Sequence, residues 1–251
     1  HTIDVVSDGK DGLALAIREN YDIVILTGAG ISAESGLGTF RDKGGIWEKF
    51  DWQKLATPQA FAADPHSVHA FYNARRDNLL AAEPNDAHRA LAAFETLWEG
   101  EERGSFLLVT QNIDNLHARG GSREVLHMHG ELLKSRCNFC GHLFEHEHPV
   151  TVSTPCPGCG KKGGLRPHVV WFGEMPLGLD TIYEAIVACD LFIAIGTSGT
   201  VYPAAGFVTE AKAAGAWTVE LSLEPGEVST LFDERHYGPA TKLVPEWFAR
   251  F

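Results

Sequence analysis

Ile23-Val24-Ile25-Leu26-Thr27-Gly28-Ala29-Gly30-Ile31-Ser32-Ala33 points to the fold class. An apolar, largely β-branched run enters a G-x-G-x-x-A turn, which reads as a buried strand feeding a helix. Three more runs share this character. Residues 106–109 enter Thr110-Gln111-Asn112, residues 191–195 enter Gly196-Thr197-Ser198, and residues 217–221 read as a fourth strand. Short continuous apolar runs suit parallel strands covered on both faces. Helical patterns at 13–19, 87–98, 179–188 and 204–214 precede the four strands in turn. This alternation predicts a Rossmann-like, doubly wound parallel α/β sheet. Ligands in such sheets bind at the carboxyl ends of the strands, and three of the four strands end in small or polar residues.

Two regions do not fit the sheet. Residues 44–84 are aromatic-rich and helical, and residues 131–167 hold paired cysteines among glycines and prolines. Both read as insertions that form a smaller lobe, a helical insertion and a zinc-ribbon module. The larger lobe is then 1–43, 85–130 and 168–251, and the cleft between lobes is the default substrate site.

The composition narrows the classes. The chain has 251 residues, 44% hydrophobic and 22% charged, as in an ordinary globular protein large enough for a sizeable core. Its formal charge is −12, which disfavours nucleic acid, because binding phosphates needs clustered cations. No run of eighteen apolar residues predicts a membrane span, and no stretch reads as a signal peptide. The expectation is a cytoplasmic protein in a reducing compartment; the sequence leaves the oligomeric state open, with a monomer favoured.

Cys137, Cys140, Cys156 and Cys159 form two C-x-x-C pairs. Each pair makes a tight knuckle that aims two thiolates at one metal, and two knuckles complete a closed tetrahedral, structural zinc site. A redox pair or plain buried thiols are the alternatives. Gly141, Gly158 and Gly160 support the knuckles, which need residues tolerant of positive φ. Cys189 stands alone and reads as a small core residue.

The glycine turn reads either as a pyrophosphate cradle or as a plain tight turn. The acid expected about twenty residues on, closing a second strand, is absent, since Asp51 does not end a strand; this disfavours a standard dehydrogenase. Thr110-Gln111-Asn112-Ile113-Asp114-Asn115-Leu116-His117 offers carboxamides and a carboxylate that can read ribose hydroxyls and an amide, or is a polar loop with an N-capping Asp. In His127-Met128-His129-Gly130-Glu131, a histidine is the natural general base near neutral pH. His146 and His148 read as solvated residues near the zinc module.

In combination, these residues resemble one family, the sirtuins, NAD-dependent protein lysine deacylases. The resemblance covers roughly residues 13–248. It rests on Gly28 through Ser32, Gly36 through Phe40-Arg41, Gln111 through Asp114, His129-Gly130, the four cysteines and Gly196-Thr197-Ser198. Residues 127–133 and Leu165 through Glu174 look most like the bacterial and desuccinylase-type (class III) branch. The resemblance implies a single catalytic unit. Gly28, Ala29, Gly30 and Ser32 would hold the NAD phosphates, and Phe40 and Arg41 would lie at the nicotinamide end. Gln111 would contact the nicotinamide ribose. Asn112, Ile113 and Asp114 would line the nicotinamide pocket, with Asn112 and Asp114 joining His129 in catalysis. Gly196, Thr197, Ser198, Ser222 and Ala240 would contact the cofactor. Val169, Val170, Trp171 and Phe172 would pair with a substrate peptide by strand addition. The acyl oxygen would attack the ribose carbon as nicotinamide leaves, His129 would take a ribose proton, and the products would be free lysine, nicotinamide and O-acyl-ADP-ribose.

Two positions depart from the family. Gly38 replaces a usual Pro, which frees that backbone. Ser222 replaces an Asn that contacts the adenosine ribose, which implies weaker NAD affinity.

Tyr72 and Arg75, three apart on one helix, share a face. By themselves they read as an amphipathic helix with a solvated Arg. The desuccinylase branch uses such a pair to recognise a terminal carboxylate, with an Ala, here Ala56, widening the channel. An Arg fork suits a succinyl or malonyl carboxylate; Arg76 points elsewhere round the helix. The expected partners are acyl-lysine proteins. Mono-ADP-ribosyl transfer at the same NAD site is the alternative activity. A nucleic-acid binder built on the zinc ribbon and a silent NAD sensor are disfavoured by the acidic charge and by the intact His129, Asn112 and Asp114.

Overall fold

The computed structural model describes residues 21–39, 45–46, 50–100 and 103–251. The expected helix at 13–19, and Phe40 and Arg41, lie outside the described residues.

Strand β1 (Ile23–Thr27) is buried at every position. Its side chains alternate between two cores. Ile23 and Ile25 join one apolar cluster, and Val24 and Leu26 join another. A strand covered on both faces has no polar face, so its sequence reads as a continuous apolar run.

Going along the chain, the helices and strands are α1 (Pro58–Ala63), α2 (Pro65–Ala81), α3 (Asp86–Gly100), β2 (Phe106–Thr110), α4 (Leu116–Gly120) and β3 (Val125–His127). Then follow β4 (Gly130–Cys137), β5 (Leu143–Glu145), β6 (Leu165–Val169), α5 (Leu179–Ala188), β7 (Leu191–Ile195), α6 (Phe207–Ala214), β8 (Trp217–Ser222), β9 (Glu234–Tyr237) and α7 (Ala240–Phe248). The main sheet runs β3-β2-β1-β7-β8-β9, with every described pairing parallel. Helices α3 and α7 cover one face through Leu91, Phe94, Trp98, Val244 and Trp247. Helices α5 and α6 cover the other through Ile182, Ile186, Phe207 and Val208. This is the expected doubly wound sheet.

Two edge strands, β3 and β9, add to the four expected ones. They are short and half-buried, and Glu234-Arg235-His236-Tyr237 has no apolar run to announce it. The expected helix at 204–214 is split, a 3-10 turn over Ala204–Gly206 followed by α6. No described helix is long and apolar enough to cross a membrane.

The smaller sheet, β5-β4-β6, is antiparallel and carries the cysteines. Helices α1 and α2 start cleanly. Thr57 accepts from Ala60 N at 3.0 Å, Asp64 accepts from Ser67 N at 3.1 Å, and a Pro follows each cap. A third core lies between these helices and the small sheet, formed by Phe61, Val68, Tyr72, Leu79, Leu132 and Trp171. Two ties reinforce it. Asn73 donates to Val150 O and accepts from Val150 N, both at 2.9 Å, and Arg76 donates to Leu132 O at 3.3 Å. Arg76 is 1% exposed, which makes it a structural bridge and accounts for its absence from the cavity walls described below.

Candidate active site

The carboxyl ends of β1, β2, β7 and β8 meet the small lobe at a cavity of about 920 Å³. Its walls include Gly28, Ala29, Gly30, Gln111, Asn112, Ile113, His129, Gly196, Thr197, Ser198 and Ser222 from the sheet side. Ala56, Tyr72, Arg75, Val169, Val170, Trp171 and Phe172 line it from the other side. Asn112 and Ile113 also line an adjoining cavity of about 610 Å³, where Ser32 and Asp114 lie. Ala240 lines neither cavity. It opens α7, and its methyl group packs against the core beside the sheet.

Close packing explains the glycine turn. A Cβ on Gly28 would sit 2.7 Å from the Gly196 carbonyl oxygen, and one on Gly30 would sit 2.7 Å from Gly196 Cα. Gly196 itself has φ +60°, a conformation that favours glycine. The turn continues as a 3-10 helix, Ala29–Ser35. Gly28 N and Gly30 N donate to Ile195 O and Gly196 O, each at 2.9 Å. Those two N–H groups are committed within the fold, so a pyrophosphate would meet this turn through other donors.

His129 is oriented for proton transfer. Its Nδ1 lies 2.9 Å from Gln111 O. A carbonyl only accepts, so Nδ1 carries the proton and Nε2 is left as the base. Burial lowers the His129 pKa below its ordinary value, and the Gln111 carbonyl partly offsets this. The ring is therefore neutral, as a base must be, at physiological pH.

A hydrogen-bond network fixes Asn112, Ser32 and Asp114. Asn112 Nδ2 donates to Gly28 O and Ser32 Oγ, both at 3.1 Å. Ser32 Oγ donates to Asp114 at 3.0 Å, and His88 Nε2 lies 3.4 Å from the same oxygen. Burial raises the Asp114 pKa, against the bonds from Leu116 N and Ser32. Behind this, Thr27 Oγ1 joins Thr110 and His117, each at 2.9 Å. Burial pushes His88 down to about 4 and His117 well below its usual value, so both rings are neutral supports. Nothing in the linear pattern singled out His88, which lies in the first turn of the amphipathic helix α3.

On the small-sheet side of the cavity, Tyr72 is 4% exposed and its hydroxyl accepts from Trp171 Nε1 at 2.9 Å. Burial pushes its pKa up to about 12, which keeps the phenol protonated. The Arg75 guanidinium lies 5.6 Å from the Phe71 ring centre, on the wall of both cavities. Ala56 O accepts from Phe172 N at 3.0 Å.

The strand-addition expectation needs one adjustment. Val170 N already donates to His129 O at 2.8 Å, Trp171 N to Glu174 at 2.9 Å, and Phe172 N to Ala56 O. A peptide here would be met on the carbonyl side of this stretch. Glu174 is the residue sequence reasoning left without a role. It binds Arg166 through both oxygens, at 2.7 and 2.8 Å, and Arg136 at 2.8 Å, so it locks the segment.

All four paired cysteines place their sulfurs within 4.8 Å of one another. The Cys137–Cys159 and Cys140–Cys156 separations are 3.9 and 3.7 Å. A tetrahedron with Zn–S bonds of about 2.3 Å has sulfur edges of about 3.8 Å. Phe139 N and Gly158 N donate to Cys137 Sγ and Cys156 Sγ, at 3.4 Å each, as suits thiolates. The donor set fits a structural zinc ion. Gly141 and Gly160 have the expected positive φ, but Gly158 does not. A Cβ there would lie 2.9 Å from the His142 ring, so Gly158 is small for packing reasons. Cys189 is buried and donates to Ile186 O, as a core residue.

The Sir2 family model matches residues 28–203. An NAD-dependent protein deacylase of Caulobacter vibrioides is 54% identical over 234 residues, covering 93% of this chain and 98% of that protein. A crystal structure of a Sir2 homolog–NAD complex superposes with TM-score 0.84 at 38% identity, over 99% of this chain and 95% of the other. A Sir2 bound to acetylated peptide superposes with TM-score 0.77 at 28% identity, over 96% and 95% of the two chains. With the glycine turn, the cavity-facing His129 and the four-cysteine cluster all in place, the chain belongs to the Sir2 family.

Proposed function

We propose that the protein is an NAD-dependent protein-lysine deacylase that removes succinyl and malonyl groups as well as acetyl. One observation carries the acyl preference: Tyr72 and Arg75 stand in the wall of the cavity that also holds His129. The names of its relatives support deacylation, and the Tyr–Arg pair supports the acidic acyl class.

The cavity fits the cofactor. Ser222 Oγ is buried in its wall with no hydrogen-bond partner among the described residues, as a ligand-reading hydroxyl would be. Gln111, Asn112, Gly196, Thr197 and Ser198 would complete the binding surface. When bound, NAD supplies an electrophilic ribose carbon with nicotinamide as leaving group. Asn112, tied at Nδ2, keeps Oδ1 as an acceptor for the carboxamide side. The neutral His129 Nε2 takes a proton from the ribose side. Arg75 and Tyr72 meet a carboxylate at the far end of the acyl chain. With cofactor and acyl-lysine bound, the filled cavity would limit water, which would otherwise compete for the ribose carbon. The reading places the protein in a reducing cytoplasm, where its thiols remain available for zinc.

Incubation with NAD and matched acetyl- and succinyl-lysine peptides, followed by product mass, tests this. NAD-dependent loss of succinyl at a rate at or above that of acetyl is expected. Loss of acetyl alone would return α2 to a structural role, and a peptide that gains ADP-ribose would move the protein to the transferases. Arg75→Met should lower the succinyl-to-acetyl ratio of kcat/KM by roughly ten- to hundredfold, the worth of a charged hydrogen bond. Equal losses on both peptides would remove the carboxylate role. Ser222→Asn should tighten NAD binding by about 0.5–1.5 kcal/mol, one net hydrogen bond; equal affinities in a calorimetric titration would count against Ser222 as a cofactor contact.

A further inference from the structure

The Tyr72 hydroxyl has one proton to give and must give it somewhere. It accepts the indole N–H of Trp171 at 2.9 Å, and among the described residues no side chain or carbonyl takes the phenolic proton. An indole nitrogen only donates, so the roles in this bond are not interchangeable. An oxygen that receives a hydrogen from one side turns its own proton away from it. Tyr72 and Trp171 both line the main cavity, so that proton is available to an acceptor bound there.

Trp171 is built to hold this bond. It is 2% exposed. The Arg166 guanidinium lies 3.2 Å from its ring centre, and the Phe61 ring centre lies 5.4 Å away. Its backbone N–H is held by Glu174, which is itself held by Arg166. A buried hydroxyl with no acceptor is costly, and a phenylalanine would fill the same space without that cost. The arrangement makes sense where the ligand supplies the acceptor.

We propose that Trp171 is a positioning residue for acyl selection: by donating to the Tyr72 oxygen it commits the Tyr72 proton to the acyl channel, so that Tyr72 serves as a fixed donor to a terminal carboxylate. This rests on the acidic-acyl reading above. It assigns the indole a task apart from any backbone contact of residues 169–172 with a peptide, and it extends the selecting apparatus through Arg166 and Glu174 into the small sheet.

The test is a double-mutant cycle with wild type, Trp171→Phe, Tyr72→Phe and the double variant at saturating NAD. Each is assayed on acetyl-lysine, succinyl-lysine and the neutral terminal-amide counterpart of succinyl-lysine. Trp171→Phe should lower the succinyl-to-amide ratio of kcat/KM by about tenfold, with the loss in KM. In the Tyr72→Phe background the same change should cost nothing further on that ratio, because the pair acts as one unit. Equal losses in both backgrounds, or the same loss on all three peptides, would make Trp171 a wall only and overturn the proposal while leaving the deacylase reading intact. Should neither wild type nor Tyr72→Phe distinguish succinyl from its neutral amide, the carboxylate reading itself falls and this proposal with it. If Trp171→Phe folds poorly, benzothienylalanine at position 171 keeps the indole shape and removes only the N–H, and the same outcomes apply.

Discussion

His129→Ala is expected to lower turnover by about 10²–10⁴-fold, the usual worth of a positioned acid–base group, while NAD still binds. The reason is geometric. The Gln111 carbonyl, 2.9 Å from Nδ1, accepts its proton, which leaves Nε2 as the acceptor on a ring that lines the cavity. His129 is one of many residues lining the cavity, so its loss should leave most of the cofactor surface in place. Turnover and NAD affinity, measured on the same variant, separate the two. Unchanged turnover would take His129 out of the base role. The wild-type pH profile provides a second check. Burial lowers the His129 pKa, so activity should be retained as pH falls through about 6.5, the ordinary histidine value, and be lost only below it. A rate that halves at or above that value would contradict a buried neutral base.

Zinc removal is the second large effect. The module holding the cysteines has a very small core, with Cys137, Cys156, Val150 and Leu165 as its buried members. Two aliphatic side chains are worth about 1.5–3 kcal/mol each, whereas structural zinc contributes on the order of 10 kcal/mol. Chelation, or Cys156→Ser, should therefore melt this module. The disturbance should spread to α2, because Asn73 is clamped to the Val150 backbone and Arg76 to Leu132. Hydrogen exchange on zinc-loaded and stripped protein would show it. Residues 137–167 and α2 should lose protection, and β1, β2 and β7 should keep theirs. An α2 that exchanges at the same rate without zinc would show that the clamp transmits nothing to the helix carrying Tyr72 and Arg75.

Much of this molecule was legible in the chain. The four central strands were visible because each is buried on both faces and so is apolar at every position. The edge strands β3 and β9 were not, because half of each faces solvent and three or four residues carry no period. The cysteine pairs announced their metal because a knuckle is a local device, complete within four residues. Gly158 shows the limit of local reading. Its small size answers the His142 ring, sixteen positions earlier, and not its own backbone angle. The committed N–H groups of Gly28 and Gly30 have the same origin, since their acceptors lie on β7 and its turn.

The central strands, the glycine turn, the paired cysteines and a histidine followed by a glycine can all be read from the chain, because each depends on close neighbours or on a repeating burial pattern. The direction in which side chains point came from long-range contacts. They placed Ala240 against the core instead of the cavity, turned Arg76 into a bridge, and set the Trp171 indole against the Tyr72 hydroxyl across ninety-nine positions of sequence. A hydrogen bond is directional and short-ranged, and nothing in a linear pattern specifies which distant donor will arrive at which oxygen.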